Sequence, residues 1–287
     1  MIKSAFACLF FCLLMNLMFI NLVCGYARIT VLTVYALSWA IVGEEVSVQA
    51  HLHTGNNRVE YVHDVKVLLV LPIYTNMTSG NNPLFIGEMG PGPADVFCNW
   101  TVVFTQAGTY TLMVNASCID TQYVFRWMAN STTVEAYDYP HADFEFTPSN
   151  EVYVNQTITF NATESRAQGP STEIVSYQWN FGDGTKITLN SNITKHTYKA
   201  AGNFEISLKI TDSRELSTIT TANITVNLFA DLNLDGTVNI QDISIVAHSF
   251  GTTPPDALWN SKADLNHDEA IDIIDLSTVA KEFGKRA

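Results

Sequence analysis

Positive charge is scarce in this sequence: fifteen Lys and Arg stand against 28 Asp and Glu in 287 residues, a formal net charge of −13. The few cations are scattered instead of lining one stripe, which removes the electrostatic footprint of a nucleic-acid binder, so no nucleic-acid partner is expected. The punctuation of the common catalysts is missing as well. There is no glycine-rich phosphate loop, no nucleophile elbow and no His-Glu-x-x-His helix. Carbohydrate hydrolysis survives these absences, because it needs only two well-placed carboxylates. Beyond residue 24 no apolar run is long enough to cross a bilayer as a helix. Cysteine is scarcer still: of five, Cys8, Cys12 and Cys24 fall in the first 24 residues, leaving Cys98 and Cys118.

What is present begins with Met1-Ile2-Lys3 and an apolar stretch to Cys24, interrupted by Asn16 and Asn21. This is the charged and apolar pattern of an export signal, with cleavage expected near Gly25-Tyr26-Ala27; an uncleaved N-terminal membrane anchor is the alternative. Residues 1–27 are therefore set aside as a signal peptide, and the protein is expected to be secreted or held at the cell surface. Export makes a Cys98–Cys118 disulfide the expected state, with two buried thiols as the alternative. Eight Asn-x-Ser/Thr sites, at Asn76, Asn99, Asn115, Asn130, Asn155, Asn161, Asn192 and Asn223, agree with an exported glycoprotein.

From residue 28 to 137 short alternating stretches are broken by turn residues, as in a β-sandwich. Val46-Ser47-Val48-Gln49-Ala50 and Trp100-Thr101-Val102-Val103-Phe104 are examples. Alternation turns Cys98, Trp100, Val102 and Phe104 inward, and likewise Tyr110, Leu112, Val114, Ala116 and Cys118, so both cysteines fall at one end of the core. Gly108-Thr109-Tyr110-Thr111-Leu112 resembles the tyrosine corner of immunoglobulin-like sandwiches, which implies that fold for residues 28–137.

A second sandwich is expected over residues 138–227. Tyr177-Gln178-Trp179-Asn180-Phe181-Gly182-Asp183-Gly184-Thr185 is followed by His196-Thr197-Tyr198, Gly202-Asn203-Phe204 and Ile206-Ser207-Leu208-Lys209-Ile210-Thr211-Asp212. This succession resembles the polycystic-kidney-disease (PKD) domain. Tyr177, Trp179 and Phe181 alternate toward a core, and Gly182-Asp183-Gly184 supplies a turn with positive φ that glycine adopts at least cost. The resemblance implies a non-catalytic spacer or adhesive module, with His196 as a structural residue.

After Val226 the composition shifts from Thr-rich strands to Asp-rich loops that repeat. Asp231-Leu232-Asn233-Leu234-Asp235-Gly236-Thr237-Val238-Asn239-Ile240-Gln241-Asp242 returns as Asp264-Leu265-Asn266-His267-Asp268-Glu269-Ala270-Ile271-Asp272-Ile273-Ile274-Asp275. Calcium takes six to eight oxygens, and a twelve-residue loop delivers them from positions 1, 3, 5, 7, 9 and 12. The first loop would use Asp231, Asn233, Asp235, the Thr237 carbonyl, Asn239 and Asp242. The second would use Asp264, Asn266, Asp268, the Ala270 carbonyl, Asp272 and Asp275. Apolar Val238 and Ile271 at position 8 are expected where two loops pair. Helices should follow from Asp242 and Asp275 and stop at Gly251 and Gly284. Position 12 is Asp instead of the Glu of EF-hands, and no helix enters either loop.

Those features, over residues 228–287, resemble a dockerin domain, which implies two calcium ions and a cohesin-domain partner. By the same resemblance the partner is read by Ile240, Gln241, Ala247 and His248 in one copy and by Ile273, Ile274, Ala280 and Lys281 in the other. Position 6 is Gly236 in the first loop but Glu269 in the second. A left-handed backbone costs a non-glycine residue about 1–2 kcal/mol, so the second calcium site should be the weaker.

His51 and His53 alternate onto one face of a strand and, with His63, are the candidates for a transition-metal site. Without a third ligand at a recognisable spacing they read as surface residues. The expected fold class is mainly β: two tandem immunoglobulin-like sandwiches, the second PKD-like, plus a small helical dockerin with paired calcium loops. The expected function is non-catalytic docking onto a cohesin-bearing partner or cell-surface assembly. The alternatives are a carbohydrate-binding accessory protein, with Tyr74 or Trp127 stacking on a polysaccharide or cell-surface glycan, and a small glycoside hydrolase of a polysaccharide-degrading complex.

Overall fold

The computed structural model describes Ile29 and residues 31–54, 61–90, 94–119 and 124–287. The expected signal peptide or anchor, residues 1–27, lies outside the described residues. The chain divides into two compact units, residues 1–139 with 168–172, and residues 140–167 with 173–287.

In the first unit the strands are β1 (Val31–Tyr35), β2 (Trp39–Ile41), β3 (Glu45–Thr54), β4 (Val62–Val70), β5 (Thr75–Ser79), β6 (Leu84–Met89), β7 (Ala94–Phe104), β8 (Gly108–Ile119) and β9 (Phe125–His141). One sheet runs β1-β3-β7-β5, the facing one β9-β8-β4-β6, and β2 joins β9 in parallel. This is an immunoglobulin-like sandwich with the long alternating β3, β7 and β8 at its centre, although β5 and β6 enter the two sheets in the reverse of the immunoglobulin succession. The alternation is physical: Val46, Val48, Ala50 and Leu52 of β3 are buried against Trp100, Val102, Phe104, Leu112 and Val114, while the residues between them face outward. Each such side chain removed from water stabilises the fold by about 1.5–3 kcal/mol before conformational entropy is subtracted. The Tyr110 hydroxyl donates to the Gln106 carbonyl at 2.8 Å, closing the tyrosine corner.

The expected Cys98–Cys118 bridge is a correction: no disulfide joins the two, although both are buried in this core. Cys98 lies on β7 and Cys118 on β8, in facing sheets. Burial pushes the Cys98 thiol up to about 11, which keeps it protonated and unreactive.

In the second unit come β10 (Glu145–Thr147), β11 (Val152–Tyr153), β12 (Ile158–Asn161), β13 (Arg166–Gln168), β14 (Ile174–Asn180), β15 (Lys186–Leu189), β16 (Ile193–His196), β17 (Gly202–Asp212) and β18 (Ser217–Asn227), then α1 (Ile240–His248) and α2 (Ile273–Glu282). Sheets β10-β12-β16 and β11-β18-β17-β14-β15 enclose an aromatic core. Tyr177, Trp179 and Phe181 point inward as alternation demands, and Phe160 packs at 5.6 Å from Trp179 and 5.1 Å from Phe181. Gly182 and Gly184 both take positive φ, 83° and 93°. A Cβ on Gly182 would stand 2.7 Å from the Glu205 carbonyl, so this glycine is required by space as well as by angle.

His196 ends β16 stacked on Phe181, with ring centroids 4.1 Å apart, and its Nε2 donates to Asp183 Oδ2 at 2.7 Å. It is the structural residue expected. The helical end shares this unit: Val154 and Ala201 pack against the buried Leu228, Ala230, Val238, Val246, Leu265, Ile271 and Val279, and Tyr153 meets Phe229 edge-on.

Candidate calcium loops and docking face

Each loop is drawn tight by its own carboxylates. In the first, Asp231 Oδ2 accepts from the Gly236 amide at 2.8 Å, and Asp235 Oδ1 from the Thr237 amide at 2.9 Å. The fully buried Asp242 accepts at Oδ1 from Leu232 at 2.8 Å and at Oδ2 from the Asn239 amide at 2.8 Å. The second loop repeats the pattern: Asp264 takes Glu269 at 3.0 Å, Asp268 takes Ala270 at 3.0 Å, and buried Asp275 takes Leu265 and Asp272, each at 2.8 Å. Asp242 and Asp275 also stand at the third residue of α1 and α2, where they complete capping boxes with Asn239 and Asp272. One residue type therefore does two jobs, capping the helix and facing the loop.

The helices begin at Ile240 and Ile273, two residues before the expected starts, because Asn239 and Asp272 supply the caps. They end at His248 and Glu282, and Gly251 and Gly284 follow with φ of 81° and 86°. Val238 and Ile271 are buried as expected, but their backbones do not pair with each other. Val238 N donates to Lys285 O at 3.0 Å and its carbonyl accepts from Gly284 at 2.8 Å; Ile271 N donates to Thr252 O at 3.1 Å and its carbonyl accepts from Gly251 at 2.8 Å. Each loop is thus closed by the segment that follows the other repeat's helix.

Carboxylate, amide and carbonyl oxygens of the kind both loops carry suit a hard cation such as calcium. Asp231 and Asp264 are nearly buried, and none of the loop carboxylates forms an ion pair with a Lys or Arg among the described residues. Concentrated anionic oxygens without a counter-charge are costly until a cation arrives. Hydrogen bonds from Asn233, Thr237 and Asn239 hold the Asp235 carboxyl below its ordinary range, outweighing its slight desolvation, so it is charged and ready to ligate. Glu269 has φ of 64° where Gly236 has 84°, the left-handed backbone anticipated for position 6. Position 4 is left-handed as well, at Leu234 with 57° and His267 with 58°, which the sequence did not announce.

All eight expected partner-reading residues are exposed: Ile240, Gln241, Ala247 and His248, and Ile273, Ile274, Ala280 and Lys281. Within each set the members are seven residues apart, just under two helical turns, so they share a helix face. Ile240 and Ile273 are each 64% exposed, matched across the repeat. Phe250 and Phe283, also half exposed and equivalent in the two copies, were missed as candidates although the repeated Phe-Gly pair was visible.

On the first unit His63 lies on β4 and donates to Glu88 at 3.0 Å, so it does not join His51 and His53, which lie on β3 in the facing sheet.

A PKD domain model matches residues 138–227, and a dockerin type I domain model matches residues 229–284. The chain therefore carries a PKD domain followed by a type I dockerin domain in a mainly β, modular protein. It is 31% identical over 90 residues to collagenase ColA of Clostridium perfringens, covering 31% of this chain and 8% of that protein. To the microbial collagenase of Vibrio alginolyticus it is 32% identical over 81 residues, 28% of this chain and 10% of that one. The chain thus spans a tenth or less of these curated relatives. Among solved structures it is similar to the PKD1 domain of Vibrio anguillarum Epp, at 25% identity over 32% of this chain and 98% of that one, with a TM-score of 0.27. It is also similar to a type II cohesin–X-dockerin complex from Acetivibrio cellulolyticus, at 25% identity over 38% and 81% of the two chains, with a TM-score of 0.21.

Proposed function

We propose that this is a secreted or cell-surface, non-catalytic modular protein whose dockerin binds calcium and plugs it into a cohesin-bearing partner. The observation that carries this is the duplicated exposed face: two equivalent sets of mostly apolar and basic residues, each standing on a helix whose first turn is tied to a calcium loop through Asp242 or Asp275. An apolar strip rimmed by polar groups marks an interface more often than a free surface. Two calcium ions are expected, with Asp231, Asn233, Asp235, Thr237, Asn239 and Asp242 holding one and their counterparts the other. The second site is the weaker because Glu269 stands at a left-handed position. Capture of the full chain on immobilised cohesins, with and without chelator, tests the proposal. Capture should require calcium, and Ile273→Asp with Ile274→Asp should abolish it while calcium titration is unchanged; capture equal to wild type in that variant overturns the assignment.

A second reading, glycan binding by the first unit, is favoured by one row of residues across the outer face of β9-β8-β4-β6. Trp127 pairs with Ser117, Ser117 with Lys66 and Lys66 with Phe85. Trp127 and Phe85 are each 71% exposed, and Lys66 Nζ stands 5.2 Å from the Phe85 ring centre. Flat aromatic faces with a polar group between them suit the apolar face of a sugar ring. Pull-down on insoluble polysaccharides should lose Trp127→Ala if this reading holds; Tyr74, 55% exposed on another strand boundary, serves as the comparison variant.

A further inference from the structure

The outer face of the sheet β1-β3-β7-β5 carries a donor cluster that neither the PKD domain nor the dockerin accounts for. His51 and His53 are two apart on β3 and so project on the same side. The register pairs His53 with Asp95 and His51 with Phe97 on β7, which sets Asp95 directly opposite one imidazole and diagonal to the other. Both rings use it: His51 Nε2 donates to Asp95 Oδ1 at 2.6 Å, and His53 Nδ1 donates to the same oxygen at 2.9 Å. Phe97 stacks flat on His51, with centroids 4.5 Å apart and planes 8° apart, which fixes the ring's direction. The cluster is open to solvent, with His51 23%, His53 32% and Asp95 52% exposed at the side chain.

We propose that His51, His53 and Asp95 bind one divalent transition-metal ion of the Zn2+ class, leaving further coordination positions to water. Two imidazole nitrogens and a carboxylate are the donor set that such ions prefer over calcium or magnesium, which seek oxygen. Among the described residues no three such side chains already surround a coordination centre; these three are hydrogen-bonded to each other instead. Little separates the two arrangements. A cation at the position of Asp95 Oδ1 would be 2.6 and 2.9 Å from the two nitrogens. That is within about 1 Å of the usual metal–nitrogen distance of ~2.0–2.1 Å. Rotation of the exposed Asp95 side chain vacates that place while keeping its carboxylate within reach. On binding, each neutral ring shifts its N–H proton from the nitrogen facing Asp95 to its other ring nitrogen, so that the freed lone pair takes the metal and no proton is lost.

The test is Zn2+ titration of the full chain in calcium high enough to saturate the dockerin loops, with Co2+ substitution read by its visible absorption. Wild type should take one Zn2+ saturably. His51→Ala and Asp95→Ala, on different strands, should each weaken it by roughly 10–100-fold or more, while His63→Ala leaves it unchanged. Circular dichroism checks that the variants keep the sheet, and His51→Gln provides a smaller change at the same position. Absence of saturable Zn2+ binding by wild type overturns the proposal, as does affinity in His51→Ala and Asp95→Ala equal to wild type.

Discussion

The PKD domain and the dockerin share one compact unit but are held together by opposite chemistries. In the PKD domain Trp179, Phe181, Phe160 and Tyr198 are fully buried, with Phe160 tilted against both Trp179 and Phe181, so burial of ring surface carries the fold. In the dockerin the buried apolar residues are few, from Leu228 to Val279, and beside them lie the carboxylates of Asp231, Asp242, Asp264 and Asp275. A core of that size is marginal alone, and the carboxylates oppose compaction until they find a cation. One half should therefore be indifferent to calcium and the other governed by it.

Chelation is the sharpest way to break that comparison. At calcium 1,000-fold above Kd each occupied loop adds about 4 kcal/mol to the folded state, so EDTA should remove amide-exchange protection from α1 and α2 and leave β14 and β17 protected. Loss of protection in both halves together would show that they are not energetically distinct. Trp179→Ala is the mirror experiment and should cost about 3–5 kcal/mol in thermal or denaturant unfolding of the PKD domain, with calcium affinity unaltered in isothermal titration. Glu269→Gly addresses the two loops. Relief of a left-handed glutamate is expected to tighten the second site by about 1–2 kcal/mol, some 5- to 30-fold, measured against an unchanged first site. The smallest effect is that of pH on Asp183. Its burial alone would raise its pKa, but the Thr185 amide and His196 hold the carboxyl below its usual range. A depressed folded pKa means stability fully present above the unfolded value near 4 and lost as pH falls through the folded one. Melting of the PKD domain between pH 6 and 3 should show that loss, and Asp183→Asn should flatten it.

These expectations rest on features that were unevenly legible. Period-two alternation marked which faces of β3, β7, β8 and β14 turn inward, because a strand reports its own burial pattern locally. The two repeated loops were legible for the same reason, since each is set by spacing within one short segment. What was not legible is what depends on pairing across distance. That Asp95, 42 residues from His53, supplies the third donor beside His51, while His63 goes to Glu88, follows only from the register of β3 with β7. The helix starts shifted because Asn239 and Asp272, taken only as ligands, also cap.

The crossed closure of the loops has a consequence in time. Val238 in the first loop is gripped by Gly284 and Lys285, and Gly236 by Ala287, so the earlier loop in the chain is finished by residues made some fifty positions later. A growing polypeptide cannot lock its first calcium loop when that loop emerges; it must wait until the second helix and its tail have been added. Neither repeat matures alone. Metal affinity at the first loop should therefore appear late and all at once during synthesis, and nicking the chain after Gly284 should loosen the first loop, although the second lies closer in sequence to the cut.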